Sequence, residues 1–299
     1  MRTTSEVIRS ALAARTAAPS FNIPYLPMMR PVVAALRDTG AFGLIAVARL
    51  EWEKFQAKSL RAIRDEYEAT KDERCTRLHL DHVPVIDEDN RRVDYRAIIA
   101  EAIALGFQSV MVDGSRLSLD DNIAATREVA EMAHAAGIPL EAELGAVLGH
   151  EAGPPPPYDE LFASGKGFTD PDAAARFVRE SGADWLSVAI GNVHGAITAA
   201  QKDKKKVEAR LNIEHLKRIR RAANVPLVLH GGSGIRKQYV LRAIKEGIAK
   251  INVGTAIRQP YEVGLKQSVE AGQAATYRAT VEVITNELEI AGSAPKINP

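Results

Sequence analysis

Three apolar segments of this chain run straight into a histidine. Leu78-His79-Leu80-Asp81 leads to His82, the segment from Trp185 to Val193 leads to His194, and Pro226-Leu227-Val228-Leu229 leads to His230. Three imidazoles leave a fourth position open for substrate, which is what a catalytic zinc ion requires. Asp81 immediately precedes the first of these histidines, so a carboxylate able to move a proton would stand beside the metal. The spacing of the three matches no short metal motif; what groups them is that each ends a strand. His79 alternates onto the face of Asp81 and reads as a core residue or a partner behind the ligands. His134 and His215 fall in helical segments and read as surface residues, and His150 reads as a solvated loop residue.

The elements that must position these residues alternate along the whole chain. Strands are predicted at 20–23, 43–50, 77–83, 109–115, 139–145, 185–193, 226–232 and 250–255. Amphipathic helical patterns lie between them, for example at 96–105, 121–136, 172–181, 213–223 and 236–246, with Gly106, Gly137, Gly182 and Gly247 where C-terminal caps belong. Strand–helix alternation implies a parallel sheet, and about eight such units favour an α/β fold of the closed (β/α)8 TIM-barrel type, with an open doubly wound sheet as the alternative. One domain is expected over 1–299, with a long loop at about 146–169 that holds four consecutive prolines. Loops of that length in compact domains serve as lids or stay disordered. The basic run Lys202–Lys206 reads as a solvated charge cluster, with a phosphate-facing role second.

Composition narrows the function classes. A 299-residue chain that is 46% hydrophobic can bury a large core, and a formal charge of +1 gives no reason to expect nucleic acid or an anionic membrane as partner. No apolar run approaches the roughly 20 residues that a membrane span needs. The single cysteine, Cys75, cannot form an intrachain disulfide and fits a reducing, cytoplasmic setting.

Barrel active sites lie at the C-terminal ends of the strands. Asn22, Asp81, His82, Asp113, Glu143, His194, His230 and Asn252 all fall at or near such ends. The seventh strand continues into Gly231-Gly232-Ser233-Gly234 and the eighth into Val253-Gly254-Thr255. Glycines let the backbone approach an anion closely, and the loops after these two strands are where barrels commonly hold phosphate. A phosphorylated substrate with a carbonyl or hydroxyl on the metal is the expectation.

With these motifs the chain resembles the class II, zinc-dependent ketose-bisphosphate aldolases. The matching segments are Phe21-Asn22-Ile23, His79-Leu80-Asp81-His82, Met111-Val112-Asp113-Gly114-Ser115 and Glu141-Ala142-Glu143-Leu144-Gly145. Phe168-Thr169-Asp170-Pro171, Gly191-Asn192-Val193-His194-Gly195, Leu229-His230-Gly231-Gly232-Ser233-Gly234, Lys250-Ile251-Asn252-Val253 and Gly292-Ser293-Ala294 extend the match over nearly the whole chain. The resemblance implies that His82, His194 and His230 hold zinc, with Glu143 and Asp113 as acidic positions near it. It implies that Asp81 handles the hydroxyl proton at the carbon–carbon bond and that Glu151, on the long loop, exchanges the proton of the donor carbon. Asn22, Gly195, Gly231, Gly232, Ser233, Asn252, Gly254 and Thr255 would then bind the donor, mostly at its phosphate, where the family often adds a monovalent cation. A homo-oligomer is a further implication.

Departures from the family pattern concentrate at the acceptor end. Ile197 and Thr198 follow His194-Gly195 where a tyrosine and a lysine near the phosphate are common, which bears on the donor, and Arg116 follows Ser115 where a histidine is common. The second strand, Leu44-Ile45-Ala46-Val47-Ala48-Arg49, lacks the serine expected near a distal phosphate. The first expectation is an aldolase that cleaves a phosphorylated ketose to dihydroxyacetone phosphate and an aldehyde. The same chemistry on a different donor and a non-catalytic sugar-phosphate-binding partner subunit are the alternatives.

Overall fold

The computed structural model describes residues 2–145, 158–192, 209–232 and 234–299. His194, Gly195, Glu151, Ser233, His150 and the Lys202–Lys206 run lie outside the described residues. Eight parallel strands close into a barrel in sequence order: β1 (Ala18–Asn22), β2 (Gly43–Ala48), β3 (Thr76–Pro84), β4 (Ser109–Asp113), β5 (Leu140–Leu144), β6 (Trp185–Val188), β7 (Leu227–Leu229) and β8 (Ile248–Val253). Closure is made by β1 on β8, with Ser20 opposite Asn252 and Phe21 opposite Val253. The (β/α)8 expectation holds, and the open sheet is excluded.

Each strand is buried on both faces, which explains its continuous apolar character. On β2, Ile45 and Val47 join the large core between the barrel and its helices. Leu44 on the other face joins Ala18, Trp185 and Val228 in a second cluster, closed by Val7, Ile8 and Ala11 of the first helix, Thr4–Ala13. The first helix is therefore a plug. Thr3 and Glu6 cap it reciprocally, the Thr3 amide donating to the Glu6 carboxylate at 2.7 Å.

Helix ends fall where glycine was expected to place them: Gly106, Gly137, Gly182 and Gly247 all have positive φ. Two expectations need correction. The stretch after β5 contains a helix, Tyr158–Ser164, and is not irregular throughout. The Tyr158 hydroxyl ties this helix to the β6 exit, donating toward the carbonyls of Gly191 and Arg210 and accepting from the Arg210 amide at 2.7 Å. β6 ends at Val188, well before Val193, because side chains take the next backbone donors. Ala189 N–H goes to Thr169 Oγ1 at 2.8 Å and Ile190 N–H to Asn192 Oδ1 at 2.9 Å. No helix among the described residues is long and apolar enough to cross a membrane.

Candidate active site

Consecutive residues of a strand normally face opposite ways, yet Asp81 and His82 both point into the barrel. The β3–β4 register slips between Leu80 and Val83, and His82 takes a left-handed φ of 36°. This irregularity adds a residue to β3 locally and turns the imidazole inward beside the carboxylate. A non-glycine residue in that region costs on the order of 1 kcal/mol, so the surrounding contacts must hold it there. The result is that Asp81, His82 and His230 can each offer an atom to one point, the three lying within 4.8 Å of one another.

His82 Nε2 and His230 Nδ1 approach to 2.7 Å. Asp113 Oδ2 lies 3.5 Å from His82 Nδ1, and Glu143 Oε2 lies 3.3 Å from His230 Nδ1. Ser187 donates to the same Glu143 oxygen at 3.2 Å, fixing the carboxylate from β6. Burial disfavours a charged His82, but Asp81, Asp113 and Glu143 outweigh it and lift its pKa to about 10. For His230 burial and the charge of His82 act together and lower it. Burial and the neighbouring Asp113 carboxylate raise Glu143 to about 8. Burial would raise Asp113 too, yet its contact with His82 overrides that and holds the carboxyl well below its ordinary range. Two imidazole nitrogens converging among carboxylates form a donor set that favours positive charge, and a divalent cation fits it.

Asp81 is 1% exposed and lies between two amides. Asn22 Nδ2 donates to Oδ2 at 2.9 Å, and Asn252 Nδ2 donates to Oδ1 and Oδ2 at 2.9 and 3.0 Å. Burial opposes its ionisation, but His82, His79 and Lys250 keep its pKa well below the usual carboxylate range. Asn22 and Asn252, read from sequence as donor-binding, thus have the Asp81 carboxylate as their partner here. His79 is fully buried behind Asp81, as the alternation predicts, with Nδ1 2.9 Å from Ser109 Oγ.

The last two loops meet beside β1. A side chain at Gly254 would reach within 3.7 Å of Asn22, and one at Gly232 would press on Ile251 and the Asn252 carbonyl. Thr255 opens the helix Thr255–Leu265, so its amides face the strand ends. Gly231, with φ of 66°, begins the turn after β7. Just after β2, Arg49 pairs with Glu53 at 2.8 Å and lies 3.7 Å from Asp87. Arg116 donates to the Asp87 carbonyl and to Asn90 Oδ1, so both arginines are anchored on the loop after β3.

A model of the class-II fructose-bisphosphate aldolase family matches residues 2–295. The chain belongs to this family. Over 84% of its length it is 30% identical to the fructose-bisphosphate aldolase of Geobacillus stearothermophilus, covering 79% of that protein. It is 45% identical to Escherichia coli K12 YdjI over 171 residues, a stretch spanning 57% of this chain and only 56% of YdjI. The crystal structure of the YdjI aldolase superposes with a TM-score of 0.76, at 29% identity and with 97% and 98% of the two chains covered. The Campylobacter jejuni fructose-bisphosphate aldolase shares the fold, with a TM-score of 0.74 at 18% identity over 96% and 94% of the chains.

As a member of this family the chain is a lyase, and the structure brings together four of the five proposed metal-site residues, the fifth being His194. Glu141, Lys250 and Glu51 are buried ionisable residues near the site that carried no role in the sequence reading. Glu141 is two residues before Glu143 and on its face, so the period of two could have found it. Lys250 stands in the same relation to Asn252. Glu51 opens a short helix after β2, and nothing in the sequence signals that its carboxyl turns inward. His215 is 9% exposed with Nε2 2.8 Å from the Thr169 carbonyl, which corrects its surface reading, whereas His134 is exposed as expected.

Proposed function

We propose that the protein is a zinc-dependent aldolase that reversibly cleaves a phosphorylated ketose to dihydroxyacetone phosphate and an aldehyde. The observation that carries this reading is the placement of an ionised, doubly clamped carboxylate, Asp81, on the residue next to the metal-site imidazole of His82. His82 and His230, with His194 as third ligand, would hold the zinc, and Glu143 and Asp113 would balance its charge. When bound, zinc supplies a Lewis acid at the donor carbonyl.

In the cleavage direction Asp81 takes the proton of the hydroxyl on the acceptor carbon. The carbon–carbon bond breaks, its electron pair stays with the donor carbon, and the acceptor leaves as an aldehyde. Glu151 then returns a proton to that donor carbon. The backbone of Gly231, Gly232, Gly254 and Thr255, with Gly195 and Ser233, would hold the donor phosphate, alongside a monovalent cation. Arg116, where bisphosphate aldolases commonly have a histidine, and a second strand without their serine support an acceptor other than glyceraldehyde 3-phosphate.

The test is proton exchange at the donor carbon of dihydroxyacetone phosphate in heavy water, with and without a chelator. Exchange that stops with chelator and returns with zinc supports the reading. Zinc-loaded protein that exchanges no proton defeats it.

A further inference from the structure

Lys250 has no part in the reaction just described, yet it is completely buried inside the barrel under the site. Its ammonium lies 2.8 Å from Glu141 Oε2, 2.6 Å from Asn252 Oδ1 and 3.9 Å from Asp81 Oδ1. The other Glu141 oxygen is 2.8 Å from His230 Nε2. One cation therefore begins two chains of contacts: through Glu141 to a metal-site imidazole, and through Asn252 to the proton-transfer carboxylate.

The direction of each bond follows from the inventory of donors. An ammonium can only donate, so Asn252 must turn its oxygen to Lys250 and its NH2 to Asp81. With the amide reversed, an oxygen lone pair would face the Asp81 carboxylate. Glu141, ionised against Lys250, can only accept, so the proton of His230 belongs on Nε2 and the lone pair of Nδ1 points towards His82. His79, Asp81 and Glu141 by themselves form a group that could hold a cation, and the Lys250 ammonium reaches into that group.

We propose that Lys250 is a positioning residue: through Glu141 it fixes the metal-binding tautomer of His230, and through Asn252 it fixes the amide that clamps Asp81. Its effect on turnover rests on the aldolase reading above. Its effect on the metal ligand does not.

Three full-length variants test this: Lys250→Met, Glu141→Gln and the double variant. Each single change leaves one charge buried without its partner and should lower the melting temperature. In the double variant the pair is neutral and the melting temperature should return towards the parent. Zinc affinity, measured by competition with a chromogenic chelator, should nevertheless stay 10–100-fold weaker, the range typical for loss of a partner behind a ligand. The kcat of carbon–carbon cleavage should stay at least about tenfold down with KM within about twofold, because the lost interactions position Asp81, which takes the hydroxyl proton, rather than the donor. A double variant with parental zinc affinity and kcat would show that the pair only stabilises the barrel. If the variants fail to fold, nitrogen NMR of the zinc-free parent decides: a His230 proton on Nε2 supports the inference, and one on Nδ1 overturns it. Zinc affinity and tautomer are read without turnover, so a parent that exchanges no proton defeats the aldolase reading and leaves these two readouts to decide the role of Lys250.

Discussion

Replacing Glu51 with glutamine should change how stability depends on pH, and the structure gives the sign. Glu51 is 8% exposed, its carboxyl accepts from the Ala48 amide at 2.8 Å, and the charge of Asp81 acts on it. Burial raises its pKa from 4.5 to about 8; the Ala48 amide opposes this and the charge of Asp81 adds to it. The folded protein thus holds this proton more tightly than the unfolded chain does. The corresponding stability is fully present below pH 4.5 and is lost as pH rises through about 8. One proton is worth at most about 1.4 kcal/mol per pH unit, so the interval carries an upper bound on the order of 5 kcal/mol. Glutamine keeps the shape and the acceptor for Ala48 but does not titrate. Urea unfolding of parent and variant at pH 5, 6, 7 and 8, with metal content held equal, reads the difference. Glu143, also raised, contributes to both proteins and cancels to first order. The variant should gain on the parent steadily as pH rises. Two parallel curves would refute the claim that Glu51 is a buried, protonated acid.

Asp81→Asn should lower kcat for donor–acceptor cleavage by about 10²–10⁴-fold, the usual worth of a positioned acid–base group, while zinc content measured by metal analysis stays near stoichiometric. His230→Ala should cost most of the zinc affinity and, with it, all chelator-sensitive exchange; a variant that retains tight zinc would remove His230 from the ligand set. Gly191→Ala should destabilise by more than about 1 kcal/mol in urea unfolding. Its φ of 109° is hostile to a side chain, and the new methyl would meet the Arg210 carbonyl at 2.6 Å and the Phe162 ring at 2.7 Å.

The sequence already outlined the barrel, because buried parallel strands are continuous apolar runs and helix ends carry glycine. Strand ends also located His230, Asp113 and Glu143 on one rim. What it could not convey is geometry that breaks a local rule. Strict alternation would send Asp81 and His82 to opposite faces, and only the register slip in β3 unites them. The β6 strand looked too long because its later amides bond to Thr169 and Asn192 side chains, partners distant or irregular in sequence. Glu141 and Lys250 were visible as residue types, but their meaning depends on a contact between β5 and β8 across the barrel.

The slip that unites Asp81 with His82 also removes a degree of freedom. Two adjacent α-carbons joined by a trans peptide stay 3.8 Å apart whatever the loops do. In the proposed mechanism, metal-site imidazole and proton-transfer carboxylate are therefore carried together on the wall of the barrel. Opening and closing of the mouth can govern whether substrate arrives and whether water leaves. It cannot pull the two α-carbons apart, so the spacing between the proposed metal ligand and the proposed proton-transfer group is built into the chain itself.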